Sequence, residues 1–169
     1  QAGRLLTIND TGRYLLVELP PAMVPGYAKQ LFYEIQLQGV TPLLAHPERH
    51  PELSRSPQTL YNLAQRGILA QVTAGSLAGS FGRKAQRTAR QMLSAGTAQV
   101  VSSDAHSPGK RSPDLTAAAR VIEKQWGVAL ARTVLSANPR RIITGQAVEP
   151  RFQEQMPGFL ARLFRPFSR

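Results

Sequence analysis

Pro42-Leu-Leu-Ala-His46 is a short uncharged run that stops on an imidazole, and its reading decides the fold. Two other runs end alike. Tyr14-Leu-Leu-Val-Glu18 stops on a carboxylate, and Gln99-Val-Val-Ser-Ser-Asp104-Ala-His106 stops on a carboxylate and a second imidazole. Short continuous apolar runs, as opposed to alternating ones, mark strands buried on both faces, the pattern of a parallel sheet covered by helices.

The intervening segments supply those helices. Over residues 25–38 the apolar side chains Ala28, Leu31, Phe32, Ile35 and Leu37 recur at mostly helical spacing, and Gly39 provides a stop. Ser56-Pro57 opens a second helix through Leu60, Leu63 and Ala64 to Gly67, because serine caps and proline fits the first turn. A strand over 68–73, a small-residue loop over 74–82, a helix over 83–95 and a strand over 98–102 follow. Ser112-Pro113 begins a helix reaching Trp126, and a last helix spans 128–137. At the other end, residues 5–8 read as a strand turned through Asn9-Asp-Thr-Gly12 into the strand over 13–19, which Pro20-Pro21 closes. Strand and helix alternate with short connections, which predicts an α/β domain with a parallel sheet.

In such folds reactive groups lie beyond the carboxyl ends of strands. Glu18, His46, Asp104 and His106 occupy that position and form a candidate ligand set for metal. A lone histidine after a strand is ordinarily a hydrogen-bonded loop residue, and that reading stays open for both histidines at this point. Arg49 and Arg111 follow the two histidines, and cations of both kinds suit phosphate chemistry, since guanidinium stays charged and grips phosphate in a two-pronged manner. Glu48 and His50 adjoin the ligands without an assigned role, and His50 is expected at the surface. The loop 74–82, with glycines at 75, 79 and 82, admits two readings: a backbone that approaches phosphate, with Ser76 as a substrate contact, or a tight turn.

Composition narrows the classes. The 169 residues lack cysteine, which excludes disulfides and thiolate metal sites, so a metal would be held by imidazole and carboxylate. The formal net charge is +11, but the cations are dispersed and no basic motif interleaved with aromatics appears, so no dedicated nucleic-acid partner is expected. Neither a spanning segment nor a secretory leader is evident, and the reading is a cytoplasmic protein. Residues 151–169 form a basic, amphipathic tail that either packs on the domain or lies peripherally on an anionic membrane.

His46-Pro-Glu-Arg49, Ser103-Asp-Ala-His106 with Arg111 behind it, and Gln71-Val-Thr-Ala-Gly-Ser-Leu-Ala-Gly-Ser-Phe-Gly82, in this order and spacing, make the chain resemble a known family. It is similar to the bacterial tyrosine-protein phosphatases of the polymerase-and-histidinol-phosphatase (PHP) superfamily, the CpsB/CapC-like proteins that accompany capsular and exopolysaccharide tyrosine kinases. Tyr14-Leu-Leu-Val-Glu-Leu19, Leu31-Phe-Tyr-Glu-Ile-Gln-Leu37 and Asn138-Pro139 extend the likeness along the chain.

The resemblance implies a distorted, TIM-like βα barrel around a cluster of divalent ions, commonly manganese, with iron or zinc as alternatives. It implies hydrolysis of phosphotyrosine on a partner kinase by metal-activated water, with Glu18, His46, Asp104 and His106 as ligands and Arg49 and Arg111 on the phosphate. The family's opening His-x-His strand has no counterpart before Glu18, so residues 1–150 are expected to be the C-terminal portion of a PHP domain lacking its N-terminal third. Rival readings are another PHP phosphoesterase, acting on small molecules or nucleic-acid ends, and an inactive basic docking module. An oligomer is compatible with any of these.

Overall fold

A computed structural model describes residues 6–108 and 112–150. Its centre is a four-stranded parallel sheet: β1 (Tyr14–Val17), β2 (Thr41–Ala45), β3 (Leu69–Thr73) and β4 (Val100–Ser102), in the spatial order β1-β2-β3-β4. Tyr14 pairs with Thr41, Leu43 with Leu69, and Gln71 with Val100. Strands that neighbour in space as they do in sequence belong to singly wound βα architecture, the arrangement of a barrel wall. A doubly wound sheet would reverse its order at a switch point.

Helices α1 (Ala28–Leu37), α2 (Pro57–Gln65), α3 (Ala74–Ala78) and α4 (Gly82–Ala95) fill the crossovers, and α5 (Thr116–Trp126), α6 (Val128–Arg132) and α7 (Asn138–Ile143) follow β4. The strands feed two cores. Leu44, Ala70, Val72 and Val101 pack with Phe32, Leu60, Ala89, Met92, Ile122 and Val134 of the helical layer. Their strand neighbours Tyr14, Leu43, Leu69 and Val100 face the other way, against Ile142 and Val148. Burial on both faces is why apolar residues follow one another along these strands and do not alternate with polar ones.

Four local expectations are corrected. Residues 6 and 7 make no strand, and Ile8–Asp10 form a 3-10 turn with Asn9 and Asp10 at positive φ. Side chains there bond in place of a ladder: Thr7 Oγ1 accepts locally from the Gly12 N–H at 2.9 Å, and the Asn9 amide donates across the chain to the Ile143 carbonyl at 3.0 Å. The small-residue stretch after β3 is α3, anchored by the fully buried Leu77 and closed by Gly79 at φ 95°. The last helix does not stop at 137. It widens into a π turn over Thr133–Ala137 and continues as α7, because Pro139 lacks an N–H but fits a first turn.

The helix expected from Ser112 begins at Thr116, whose N–H is met by Asp114 Oδ1 at 2.8 Å. Among the described residues, no helix is long and apolar enough to cross a membrane. The tail 151–169 and Arg111 lie outside the described residues.

Candidate metal and phosphate site

Because the strands are parallel, their carboxyl ends share one edge of the sheet, and the predicted site residues collect there. Glu18 directly follows β1, His46 follows β2, and Asp104 stands two residues beyond β4. The His46 N–H extends the ladder by donating to the Gln71 carbonyl at 2.8 Å. The chain then turns sharply: His46 adopts φ 34°, ψ 49°, and Pro47–Arg49 form a single 3-10 turn. Asp104 is also left-handed, at φ 52°. Non-glycine residues pay about 1–2 kcal/mol for this conformation, and such strain collects where a side chain must be aimed.

The side chains meet in two groups. His46 Nε2 lies 3.2 Å from Glu18 Oε1, above an open cleft of about 150 Å³ lined also by Leu44, Arg49, His50 and Leu53. Arg49 Nη1 donates to Asp104 Oδ2 at 2.7 Å, and its guanidinium carbon is 4.2 Å from the centroid of the Phe81 ring. His106 Nδ1 is 2.8 Å from the Asp104 carbonyl oxygen and 3.8 Å from Oδ1. An Nδ1–H donated to that carbonyl leaves Nε2 with the lone pair a cation needs.

The donor set fits a hard or borderline divalent cation, since it consists of oxygen and imidazole nitrogen. Two ligands about 2.1 Å from one ion and roughly at right angles stand some 3 Å apart, the separation found between Glu18 and His46. Among the described residues no three such groups cluster closely enough to hold an ion alone. The four expected ligands therefore converge on one edge as two pairs, with Arg49 between them.

Ser76 is not exposed at the site. It is fully buried, and its hydroxyl donates to Glu48 Oε1 at 2.6 Å. His50 is not at the surface either: it is buried, Nε2 faces the Pro20 carbonyl at 2.9 Å, and Nδ1 accepts from the Leu53 N–H at 3.4 Å. The ring thus carries its proton on Nε2 and ties the end of β1 to the turn after β2.

Glu48 emerges as the support of the site. Its Oε1 also accepts from the Thr73 N–H at 3.1 Å, so one carboxyl pins the His46–Arg49 turn to the end of β3. Burial pushes this carboxyl above its ordinary range, and the bonds from Ser76 and Thr73 offset only part of that rise. Sequence reasoning assigns no role to Glu48 or Phe81, and the one signal it offers is the place of Glu48 between His46 and Arg49.

A family model described as capsular polysaccharide synthesis, CpsB/CapC, matches residues 1–144. The chain belongs to the CpsB/CapC family. It is 39% identical over 145 residues to the tyrosine-protein phosphatase YwqE of Bacillus subtilis, a match covering 86% of this chain and 56% of YwqE. It is 31% identical over 150 residues to the tyrosine-protein phosphatase CpsB of Streptococcus pneumoniae, covering 84% and 60%. A solved chain from the crystal structures of those two proteins, described as unique metal-dependent tyrosine phosphatases, superposes with a TM-score of 0.80 at 37% identity, over 89% of this chain and 61% of that one. The chain thus spans less than two thirds of the length of these CpsB/CapC relatives.

Proposed function

We propose that the protein containing this chain is a metal-dependent protein-tyrosine phosphatase that acts on a phosphorylated tyrosine kinase of polysaccharide biosynthesis. The observation that carries the reading is the placement of Arg49 between the Glu18–His46 pair and the Asp104–His106 pair on one sheet edge. Two relatives named as tyrosine-protein phosphatases support it.

The roles follow from the chemistry of a phosphate monoester, whose dianion repels an anionic nucleophile. Glu18, His46, Asp104 and His106 would hold divalent cations, with manganese the proposed metal. When bound, such cations neutralise charge on the phosphoryl oxygens and bring the pKa of a water toward ~7. Arg49, and Arg111 as the proposed second arginine, orient the phosphoryl group and stabilise charge that grows on it. Water oxygen bonds to phosphorus as the tyrosyl oxygen departs, and a water proton ends on the phenol. The β2 turn, fixed by Glu48, keeps Arg49 from following its own conformational freedom.

The test is phosphate release from phosphotyrosine peptides by the full-length protein, with histidinol phosphate and nucleic-acid ends as competing substrates. Release confined to phosphotyrosine, abolished by a chelator and restored by manganese, is the expected result. Preference for either competitor overturns it.

A further inference from the structure

Gly75 and Phe81 touch where neither has an obvious structural need of the other. A methyl group built on Gly75 would lie 2.8 Å from Phe81 Cε2 and 3.3 Å from Cδ2, closer than packed atoms tolerate. Gly75 is not among the glycines at positive φ, so its missing side chain provides clearance and not backbone freedom. Phe81 as a residue is 36% exposed, hence only partly accounted for by core packing. Its ring is the one lying 4.2 Å from the Arg49 guanidinium.

We infer that Phe81 is a positioning residue for Arg49, and that Gly75 is glycine so that the ring can take its place under the guanidinium. The inference rests on the reading of Arg49 as the phosphate-gripping arginine. Arginine has a long, freely rotating stem, so one anchor at Asp104 leaves its plane free to swing. A second carboxylate would fix the plane but cancel the charge that phosphate requires and consume N–H donors. An aromatic face fixes the same plane by cation–π attraction, while the five N–H groups, which lie in that plane, stay available to Asp104 and to substrate. The chain of contacts Gly75, Phe81, Arg49, Asp104 thus runs from the start of α3 to the segment after β4 and sets one orientation at its middle.

The experiment compares Phe81→Leu, Phe81→Tyr and Gly75→Ala in the full-length protein. One readout is independent of turnover: in protein with isotope-labelled arginine, the Arg49 δ-methylene resonances carry a ring-current shift. That shift should vanish in Phe81→Leu, change in Gly75→Ala and survive in Phe81→Tyr. The second readout is kinetic. Phe81→Leu and Gly75→Ala should each lower kcat/KM on a phosphotyrosine peptide about fivefold, and raise the inhibition constant for inorganic phosphate by the same factor, with metal content unchanged. Phe81→Tyr should stay within about twofold.

In an Arg49→Ala background Phe81→Leu should cost nothing further. An additional loss there would mean that the ring meets substrate directly, and retention of the Arg49 shift in Phe81→Leu would mean that it positions nothing; either overturns the inference. Should Gly75→Ala fail to fold, the Phe81 pair still decides. Absence of phosphotyrosine hydrolysis in the unsubstituted protein sinks the functional reading alone, and the resonance shifts then settle whether the ring holds the arginine.

Discussion

Arg49 Nη1 stands 2.7 Å from Asp104 Oδ2, a contact between residues 55 apart that ties the turn after β2 to the segment after β4. Both side chains are largely withdrawn from solvent, at 27% and 13% exposure, so the bond is stronger than a surface ion pair and holds each group in one place. If Arg49 grips the phosphoryl group, Arg49→Ala should lower kcat/KM on phosphotyrosine peptides by about 10²–10³. Arg49→Lys should recover little of it, since a point charge cannot reproduce the planar fork. Steady-state kinetics check this; a lysine variant with near-full activity would refute the bidentate role.

The Glu18–His46 pair is predicted to hold metal. His46→Ala and Glu18→Ala should each reduce the metal retained after dialysis, and activity lost by chelation should return with added divalent ion in the parent but poorly in the variants. Losses exceeding the roughly 10–100-fold that removal of a ligand's supporting partner costs would mark the pair as direct ligands. Elemental analysis and calorimetric titration measure it, and unaltered stoichiometry in both variants would exclude the pair as ligands.

Glu48 separates positioning from chemistry. Glu48→Ala leaves the buried Thr73 N–H and the Ser76 hydroxyl without their acceptor, which should cost about 1–3 kcal/mol. Glu48→Gln keeps an acceptor oxygen at the same place and relieves a carboxyl whose charge burial already opposes, so its cost should be much smaller. Urea denaturation of the two variants provides the comparison. Equal losses would show that the carboxylate charge, not the pair of hydrogen bonds, holds the turn.

What the sequence made legible follows from burial. The four strands were readable because most of their positions are buried on one face or the other, so apolar residues dominate and each run stands out against its polar ends. The same ends exposed Glu18, His46 and Asp104 as candidates. Contacts between distant residues were not readable: Glu48 looks like any solvated glutamate in a short turn until Ser76, 28 residues on, is seen to meet it. Ala74-Gly-Ser-Leu-Ala78 has loop composition and becomes a helical turn because Leu77 is drawn fully into the core, an instance of tertiary packing overriding local preference. The meeting of Phe81 with Arg49 has no local signal at all.

A pH effect is expected at the start of α5. The Thr116 hydroxyl and N–H, and then the nearby charge of Arg120, hold the Asp114 carboxyl below its ordinary value. A folded pKa below the unfolded one means that the ionised carboxylate favours the folded state. Its contribution is complete above about pH 4 and fades as pH falls through the depressed folded value. Asp114→Asn keeps an acceptor for Thr116 but cannot ionise. The stability difference between parent and variant should therefore be flat from pH 5 to 7, shrink below about pH 4, and weaken with salt because the group is exposed. A difference that grew on acidification would reverse the assigned sign.

Tyr14 fastens the far side of the sheet. Its ring is buried among Leu43, Leu69, Val100, Ile142 and Val148, while its hydroxyl donates to the Gln146 carbonyl at 2.7 Å and accepts from the Val148 N–H at 3.0 Å. One phenol thus satisfies two backbone groups of the segment after α7 and draws that segment onto β1, whose other partner is β2 alone among the described strands. Tyr14→Phe preserves the ring's volume and leaves both backbone groups unpaired, so the loss should fall near 1–3 kcal/mol, chiefly from their desolvation. Amide hydrogen exchange locates it: the Val148 N–H should lose protection in Tyr14→Phe, whereas the Val72 N–H, on the interior strand β3, should change only by the global loss of stability. Uniform loss at both sites would mean that the segment does not detach separately from the sheet it covers.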